Sequence, residues 1–206
     1  VVTTHGGDTR DFLPRPAGRN AILQLCRQAK AVICVGDVLK ELLLQAGVRD
    51  ANLQVLYNGM DLSKIYQGPN PLAERYRGKR VVLGVGNLKR TKGFDLLIEA
   101  TAQLAGRYPD LQTVIVGGGT ELPRLQALVR QFDAGDRVEI CGFRAPLETM
   151  AYMDACEIFC LPSWLEGFGI VYLEAMAHGK PVIGVQGQGV ERIVREHQTG
   201  LLVPPR

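Results

Sequence analysis

The sequence predicts an α/β fold in which a parallel sheet carries helices on both faces. From Val81 onwards, short apolar runs alternate with helical segments, a pattern typical of strands joined by crossover helices. Each predicted strand is followed by glycine or proline, so the strands stop abruptly at one edge of the sheet. A chain of 206 residues is long enough for one large or two small domains. We expect a Rossmann-like domain at residues 77–206, preceded by a partial second Rossmann-like domain and linker at residues 1–76.

The first 76 residues are expected to form strands and helices that end in a linker. The predicted elements are strand Val1–Thr4, a helix capped by Asn20 and running to Ala29, strand Ala31–Val35, helix Asp37–Gln45 and strand Leu53–Leu56. The segment Ser63–Gly78 contains Gly68-Pro69-Asn70-Pro71, which is expected to prevent regular structure. We interpret this segment as a linker between the domains.

Beyond the linker the predicted elements alternate regularly. In chain order they are strand Val81–Val85, helix Phe94–Leu104, strand Thr113–Val116, helix Glu121–Phe132, strand Val138–Ile140, helix Pro146–Asp154, strand Ile158–Leu161, helix Ile170–His178, strand Val182–Val185, helix Val190–Arg195 and strand Leu201–Val203. Gly179 followed by Pro181 is a stop signal for the helix that precedes them.

Composition excludes several classes of function. The formal charge of +3 and the lack of a dense basic patch with aromatics argue against nucleic-acid binding. The five cysteines lack the spacing of a zinc site and are expected to be reduced thiols in a cytoplasmic protein. No run approaches the ~20 apolar residues of a membrane span. The chain begins within a predicted strand and has no initiator methionine, so we expect a fragment without signal peptide.

Two acids bracket the start of the helix Ile170–His178. That helix is apolar on nearly every side except at Glu174, and an ionised carboxylate in such surroundings costs several kcal/mol, so Glu174 should meet a cation, backbone N–H groups or ligand hydroxyls. Glu166 lies just before the helix, where N–H groups favour anionic ligands. Both acids are expected to face one crevice. Chemistry alone favours a structural interpretation to the same degree. In that interpretation Glu174 pairs with a structural cation and Glu166 caps the helix.

The glycines at the strand ends suit a ligand that carries phosphate. Backbone N–H groups can approach an anion closely at glycine, and Lys92, between a strand and a helix, can meet a diphosphate as a point charge. The alternative for Lys92 is a solvated basic loop. His5 follows the first strand at its carboxyl end, where open α/β sheets bind ligands, although its residue type alone favours a turn histidine bonded to backbone.

Several common nucleotide fingerprints are missing from the sequence. Neither GxxxxGK[ST] nor a complete GxGxxG occurs, so P-loop and ordinary dinucleotide-binding functions are not indicated. There is also no Asp-x-Asp, the usual place for a divalent metal in metal-dependent sugar transferases. Cationic side chains and helix dipoles would therefore have to stabilise a leaving diphosphate.

Glu166 and Glu174, with seven residues between them, resemble the E-x7-E motif of the GT-B glycosyltransferases of family 4. The further matches follow the family's order along nearly the whole chain: Asn58-Gly59-Met60-Asp61, Lys92-Gly93, Gly117-Gly118-Gly119, Gly167-Phe168-Gly169, Glu174-Ala175-Met176-Ala177, Gly179-Lys180-Pro181-Val182, Gly189 with Glu191, and Gly200-Leu201-Leu202-Val203-Pro204. Together they are far more specific than any one of them.

The resemblance implies a role for each matching residue. Lys92 would contact the diphosphate of a nucleotide sugar, Glu174 the ribose hydroxyls, and Glu166 with the amides of Phe168 and Gly169 the transferred sugar. His5 and Glu166 would border the reacting centre. The remaining expected donor contacts are Asn87, Arg90, Gly118, Phe143, Gly167 and Ile170.

The same resemblance implies a reaction and its partners. The reaction would be a metal-independent, retaining transfer of a hexose from a UDP- or GDP-linked donor to a glycan, lipid or small molecule, with no cofactor, as in polysaccharide biosynthesis. We expect a cytoplasmic location, and the sequence leaves open a peripheral contact with the inner face of a membrane through a lipid-linked acceptor.

Two departures from the family pattern keep alternatives open. Asn87 stands where the family often has arginine, so one diphosphate contact is either missing or supplied by Arg90. Family members are also much longer than this chain. A nucleotide-sugar epimerase on the same scaffold and a non-catalytic nucleotide-binding module therefore remain alternatives.

Overall fold

The computed structural model describes residues 1–205, with the backbone alone for Asp8. Two compact units make up the chain. Unit 1 comprises Val1–Gly59, Glu166–Ile170 and Gln188–Val190, and unit 2 comprises Met60–Leu165, Val171–Gly187 and the residues from Glu191 onwards. Within the described residues, no helix combines the length and the apolar character needed to cross a bilayer.

Unit 1 contains a small parallel sheet. Its elements are β1 (Val2–Thr4), α1 (Gly7–Phe12), α2 (Pro16–Gln28), β2 (Val32–Cys34), α3 (Asp37–Gln45), a 3-10 turn at Asp50–Asn52 and β3 (Leu53–Val55). The strands lie in the order β1-β2-β3, with Cys34 paired to both Thr4 and Val55. The core of this unit includes Cys34 and the α3 residues Leu39 and Leu43, each at most 1% exposed.

The first two helices of unit 1 differ from the prediction. Helix α1 was not predicted; Gly6, at φ 117°, turns the chain directly from β1 into this helix, and such a φ is available to glycine at little cost. Helix α2 begins at Pro16 and not after Asn20, because the fixed φ of proline suits the first helical position. Helix α3 has the predicted bounds.

Unit 2 carries an all-parallel sheet of six strands in the order β6-β5-β4-β7-β8-β9. Along this part of the chain the elements are α4 (Pro71–Arg75), β4 (Arg80–Val85), α5 (Phe94–Leu104), β5 (Leu111–Val116), α6 (Leu122–Gln131), β6 (Val138–Gly142), α7 (Pro146–Ala155), β7 (Ile158–Cys160), α8 (Ile170–Ala177), β8 (Val182–Val185) and β9 (Gly200–Val203), with 3-10 turns at Leu62–Lys64, Arg90–Lys92 and Gly189–Arg192. The order reverses between β4 and β7, which is the topological switch point of a Rossmann-type sheet. The predicted fold class is confirmed.

Helix α8 is held on the sheet by one aromatic side chain. Tyr172 is fully buried, packs edge to face on Phe159 at 5.3 Å between ring centroids, and donates its hydroxyl hydrogen to the Leu161 carbonyl oxygen at 2.6 Å. A buried phenol needs such an acceptor, so Tyr172 both packs the helix and orients it.

Two segments of unit 2 correct the prediction. The expected linker contains helix α4, because Asn70 caps it through the Leu72 N–H at 3.0 Å and also donates to the Ala151 carbonyl of α7 at 2.7 Å. The predicted helix Val190–Arg195 is wrong: only the 3-10 turn is present. Beyond it the Arg195 N–H donates to the Thr199 hydroxyl and His197 takes a left-handed φ of 59°, so the chain turns away from a helical path.

Candidate functional site

The carboxyl ends of β4, β5 and β6 surround a cleft of about 460 Å³ within unit 2. Four glycines of the strand ends form its floor, and side chains from the strand ends and from helix α7 line the rest. The lining includes Gly86, Gly117, Gly118 and Gly119 together with Asn87, Phe143, Arg144 and Thr149. Ligands of open α/β sheets bind outside the strand ends beside the switch point, which is where this cleft lies.

Glycine is required in this floor because the loops after β4 and β5 touch through their backbones. A methyl group on Gly117 would lie 1.9 Å from the Gly86 carbonyl oxygen, and one on Gly119 would lie 2.5 Å from that of Leu88. The Leu88 N–H donates to the Gly118 carbonyl at 2.9 Å, which joins the two loops. The floor therefore exposes main-chain groups that a ligand can approach closely.

Lys92 lies in a loop that is pinned across the switch point. The carbonyl oxygen of Thr91 accepts from the Trp164 N–H at 3.1 Å and from the Ser163 hydroxyl at 3.2 Å, so the loop after β4 is bonded to the loop after β7. The Lys92 side chain runs beside Gly86: a methyl group on that glycine would lie 3.9 Å from Lys92 Cδ and Cε. The half-buried Lys92 side chain thus lies along a residue that lines the cleft.

Glu174 is a partly buried acid on α8. Burial raises the pKa of its carboxyl group, and the nearby His178 lowers it to a smaller extent. The His178 ring accepts the Tyr66 N–H at Nε2, so its Nδ1–H donates to the Glu174 carbonyl oxygen at 2.7 Å and not to the carboxylate. Within the described residues the Glu174 carboxylate makes no hydrogen bond or ion pair, so the structural cation that the sequence left open is not found there.

In unit 1, the loop Glu166–Gly169 packs its backbone against the carboxyl ends of β1 and β2. A methyl group on Gly167 would lie 2.9 Å from the His5 carbonyl oxygen, and one on Gly36 would lie 2.9 Å from the Gly167 carbonyl oxygen. A methyl group on Gly189 would be closer still, at 2.2 Å from that oxygen. Contact between main chains therefore explains the glycines at positions 36, 167 and 189.

Side chains of unit 1 also hold this loop. The Glu166 N–H donates to Gln188 Oε1 at 3.0 Å, and the Glu166 carbonyl oxygen accepts from Arg10 Nη2 at 3.2 Å. The ring of Tyr57 stacks on Phe168, with centroids 5.8 Å apart and planes 23° apart. Burial lowers the pKa of Arg10, and the charge of Glu166 raises it.

The structure brings together some of the predicted site residues in each unit. Asn87, Gly118 and Phe143 line the cleft, Arg90 and Lys92 occupy the 3-10 turn after β4, and Glu174 lies on α8. The other predicted residues belong to unit 1: His5, Glu166, Gly167, Phe168, Gly169 and Ile170. That the two acids face one crevice stays a prediction.

Sequence reasoning missed four residues that lie in or beside these clusters. Arg144 and Thr149 line the cleft, and Arg10 and Tyr57 contact the Glu166–Gly169 loop. Arg144 is the second residue after the end of β6, so the rule that ligands bind at strand ends could have found it. No comparable signal marks Arg10, because its helix was itself not predicted. Among the described residues there is no group of three or more His, Cys, Asp or Glu that could hold a metal ion.

The fold and the cleft define a Rossmann-type ligand-binding protein of the GT-B class. Residues 73–206 match the family described as glycosyl transferases group 1, and residues 1–64 match the family described as Glycosyltransferase Family 4. The chain belongs to the glycosyl transferases group 1.

Named relatives support this assignment. An alpha-D-kanosaminyltransferase of Streptomyces kanamyceticus is 37% identical over 136 residues, which is 65% of this chain and 35% of that protein. A GDP-mannose-dependent alpha-(1-6)-phosphatidylinositol monomannoside mannosyltransferase of Mycolicibacterium smegmatis is 31% identical over 215 residues, which is 98% of this chain and 56% of that protein. The chain therefore spans only part of the length of these relatives.

Solved structures show the same fold. HepE of Anabaena, crystallised with UDP and glucose, superposes with a TM-score of 0.89 at 27% identity over 99% of this chain and 57% of its own. Sucrose-phosphate synthase of Thermosynechococcus elongatus gives a TM-score of 0.84 at 28% identity over 99% of this chain and 54% of its own.

Proposed function

We propose that this chain is the donor-binding part of a glycosyltransferase that moves a hexose from a nucleotide-activated sugar to an acceptor. The observation that carries the proposal is the glycine-floored cleft of unit 2, with the Lys92 side chain running beside its floor. Main-chain groups and a cation beside the switch point suit the diphosphate of a nucleotide.

We assign a role in this reaction to three side chains of unit 2. The nucleoside would enter the cleft, where the ring of Phe143, 76% exposed, offers a face for the base. Lys92 would bind the diphosphate and stabilise the charge that develops as it leaves. The Glu174 carboxylate, which makes no hydrogen bond or ion pair within the described residues, would accept hydrogen bonds from the ribose hydroxyls.

The roles in unit 1 follow from the motif. Glu166 and the amides of Phe168 and Gly169 would bind the hexose, and His5 would border the reacting carbon. We propose transfer with retention of configuration and without a metal ion, so that cationic side chains and helix N-termini carry the charge stabilisation.

The relatives support a UDP- or GDP-linked donor. HepE of Anabaena was solved with UDP-glucose, and the mycobacterial relatives are named as GDP-mannose-dependent. Their acceptors differ: other relatives are D-inositol 3-phosphate glycosyltransferases. We propose a glycan, a lipid-linked molecule or a small polyol as acceptor, in the cytoplasm, with membrane contact where the acceptor is a lipid.

Product analysis of the full-length protein tests this function. UDP-glucose, UDP-N-acetylglucosamine and GDP-mannose would each be incubated with and without acceptors, and products followed by proton NMR. We expect acceptor-dependent release of nucleoside diphosphate and a product whose anomeric configuration equals that of the donor. An epimer or free sugar formed from donor alone would point to an epimerase. Binding without transfer to any acceptor would point to a non-catalytic module.

A further inference from the structure

Arg10 and Tyr57 are among the side chains of unit 1 that hold the loop Glu166–Gly169, and the family motif includes neither of them. Arg10 bonds to the Glu166 carbonyl oxygen, and Tyr57 covers the ring of Phe168. We propose that Arg10 and Tyr57 are positioning residues that fix the backbone on both sides of Gly167 and thereby direct the Glu166 carboxylate. The inference rests on the proposed function, in which Glu166 binds the hexose.

The main chain of Glu166 is bonded on both sides. Its N–H donates to Gln188, and its carbonyl oxygen accepts from Arg10 at 3.2 Å and from the Gly189 N–H at 3.3 Å. The peptide groups of this residue are therefore held in place, which fixes the direction of the Cα–Cβ bond from which its carboxylate extends. A group that must bind a sugar within a few tenths of an ångström needs such support.

Packing alone does not account for an arginine at position 10. Its guanidinium is partly buried, and within the described residues the buried Nε atom has no hydrogen-bond partner. A buried donor without a partner destabilises a fold, and an apolar side chain of similar length would avoid that cost. Within the described residues, the Arg10 guanidinium donates through Nη2 to the loop that carries Glu166, which indicates a role in placing that loop.

Tyr57 connects the loop to helix α3. Its hydroxyl donates to Asp37 Oδ2 at 2.6 Å, and Asp37 is the first residue of α3. A hydrogen bond to a carboxylate is short and strong, so the ring has little freedom to leave Phe168. The stack thereby ties the Phe168 side of the loop to the core of unit 1, while Arg10 ties the Glu166 side.

Amide hydrogen exchange in the full-length protein tests whether Arg10 holds the loop. Arg10→Met removes the bond to Glu166, and Arg19→Met is a matched control because Arg19 Nη2 also donates to a carbonyl oxygen, that of Ala46, at 3.2 Å. We expect the amides of residues 166–169 to exchange roughly two- to tenfold faster in Arg10→Met, as loss of one hydrogen bond implies, and at the wild-type rate in Arg19→Met.

Two substitutions of increasing severity test whether Tyr57 holds the loop. Tyr57→Phe keeps the ring and removes the hydroxyl group that donates to Asp37, and Tyr57→Leu removes the stack as well. The amide exchange rate of residues 166–169 should rise from wild type to Tyr57→Phe to Tyr57→Leu. If Tyr57→Leu does not fold, Tyr57→Phe still tests the contact, because it removes a single oxygen atom.

Kinetics separate positioning from packing. We expect Arg10→Met to lower kcat roughly tenfold, as displaced reacting groups do, while the affinity for nucleoside diphosphate without sugar stays at the wild-type value. Equal loop exchange in Arg10→Met and Arg19→Met, or unchanged exchange in Tyr57→Leu, would overturn the inference. Absence of turnover in the wild type would instead contradict the proposed function. The exchange measurement would still decide whether Arg10 and Tyr57 hold the loop.

Discussion

Thr91 and Trp164 are joined by a backbone hydrogen bond of 3.1 Å, in which the Trp164 N–H donates to the Thr91 carbonyl oxygen. The bond links the loop after β4 to the loop after β7, the two strands between which the sheet order reverses. Lys92, the next residue after Thr91, is thereby held beside the cleft. Its position depends on backbone contacts and not on the flexible side chain alone.

Gly93→Ala should destabilise the protein by about 2 kcal/mol or more, because alanine would take a left-handed conformation and collide with the loop after β7. Gly93 has φ 69°, and a methyl group there would lie 2.2 Å from the Pro162 carbonyl oxygen. Gly78→Ala is the matched control: it has φ 75°, but no atom of the described chain lies within 4 Å of the added methyl. Urea denaturation should show a larger loss in the free energy of unfolding for Gly93→Ala than for Gly78→Ala. Equal losses would show that the contact with Pro162 does not affect stability.

Lys92→Ala in the full-length enzyme should lower turnover roughly ten- to a thousandfold, because the leaving diphosphate loses its nearest proposed cation. Lys89→Ala removes an exposed lysine from the same loop and should leave turnover within a factor of about two. Steady-state rates of nucleoside diphosphate release would measure both. Equal effects of the two substitutions would contradict the specific role of Lys92.

Arg90 should supply the diphosphate contact that Asn87 does not make. Arg90→Ala is expected to weaken nucleoside diphosphate binding roughly two- to tenfold, the range for an exposed charge. In an Asn87→Arg background the same change should have a smaller effect, because the new arginine replaces the lost charge. Calorimetry on the wild type, the two single variants and the double variant gives the coupling free energy between positions 87 and 90. A coupling free energy of zero would show that the two positions act independently.

Glu174→Gln should change stability in a pH-dependent way. Because burial raises the pKa of Glu174 above its ordinary value of 4.5, ionisation favours the unfolded state. Below pH 4.5 the carboxyl group is protonated in both states and the substitution should have little effect. As pH rises through the raised pKa the wild type loses stability that the glutamine variant keeps, so the variant should be the more stable one at neutral pH.

The same substitution should weaken donor binding at neutral pH. Loss of hydrogen bonds from the ribose hydroxyls to a charged acceptor corresponds to roughly a ten- to hundredfold lower affinity. Thermal unfolding at pH 4 and pH 7.5, together with nucleotide titration, would measure both effects. A variant that gains stability while its affinity for nucleotide is unchanged would contradict the ribose-binding role of Glu174.

Much of the fold could be predicted because apolar runs and glycine stops are local signals. The bounds of α3 and α5 agree with the sequence prediction, since a clear apolar period and a glycine at one end mark each of them. Helix α4 was missed although Asn70-Pro71 is itself a helix-start signal. The side-chain bond from Asn70 to α7 joins residues far apart in sequence, so no local pattern predicts it.

The candidate site could be predicted only where its residues belong to a motif or follow a strand. Lys92, Gly118 and Glu174 were found in this way, and the structure places Gly118 in the cleft and Lys92 beside it. Arg10 and Tyr57 could not be found, because their contacts with the Glu166–Gly169 loop join positions more than a hundred residues apart. The predicted boundary between domains at residues 76 and 77 stays a prediction.

A crystal structure of the full-length protein with UDP-glucose or GDP-mannose tests the central claim most directly. We predict difference density for the nucleoside in the cleft lined by Asn87, Gly118 and Phe143, with the diphosphate within hydrogen-bonding distance of Lys92 Nζ. Density for the nucleotide away from this cleft, or an empty cleft at saturating concentrations of both donors, would contradict the account.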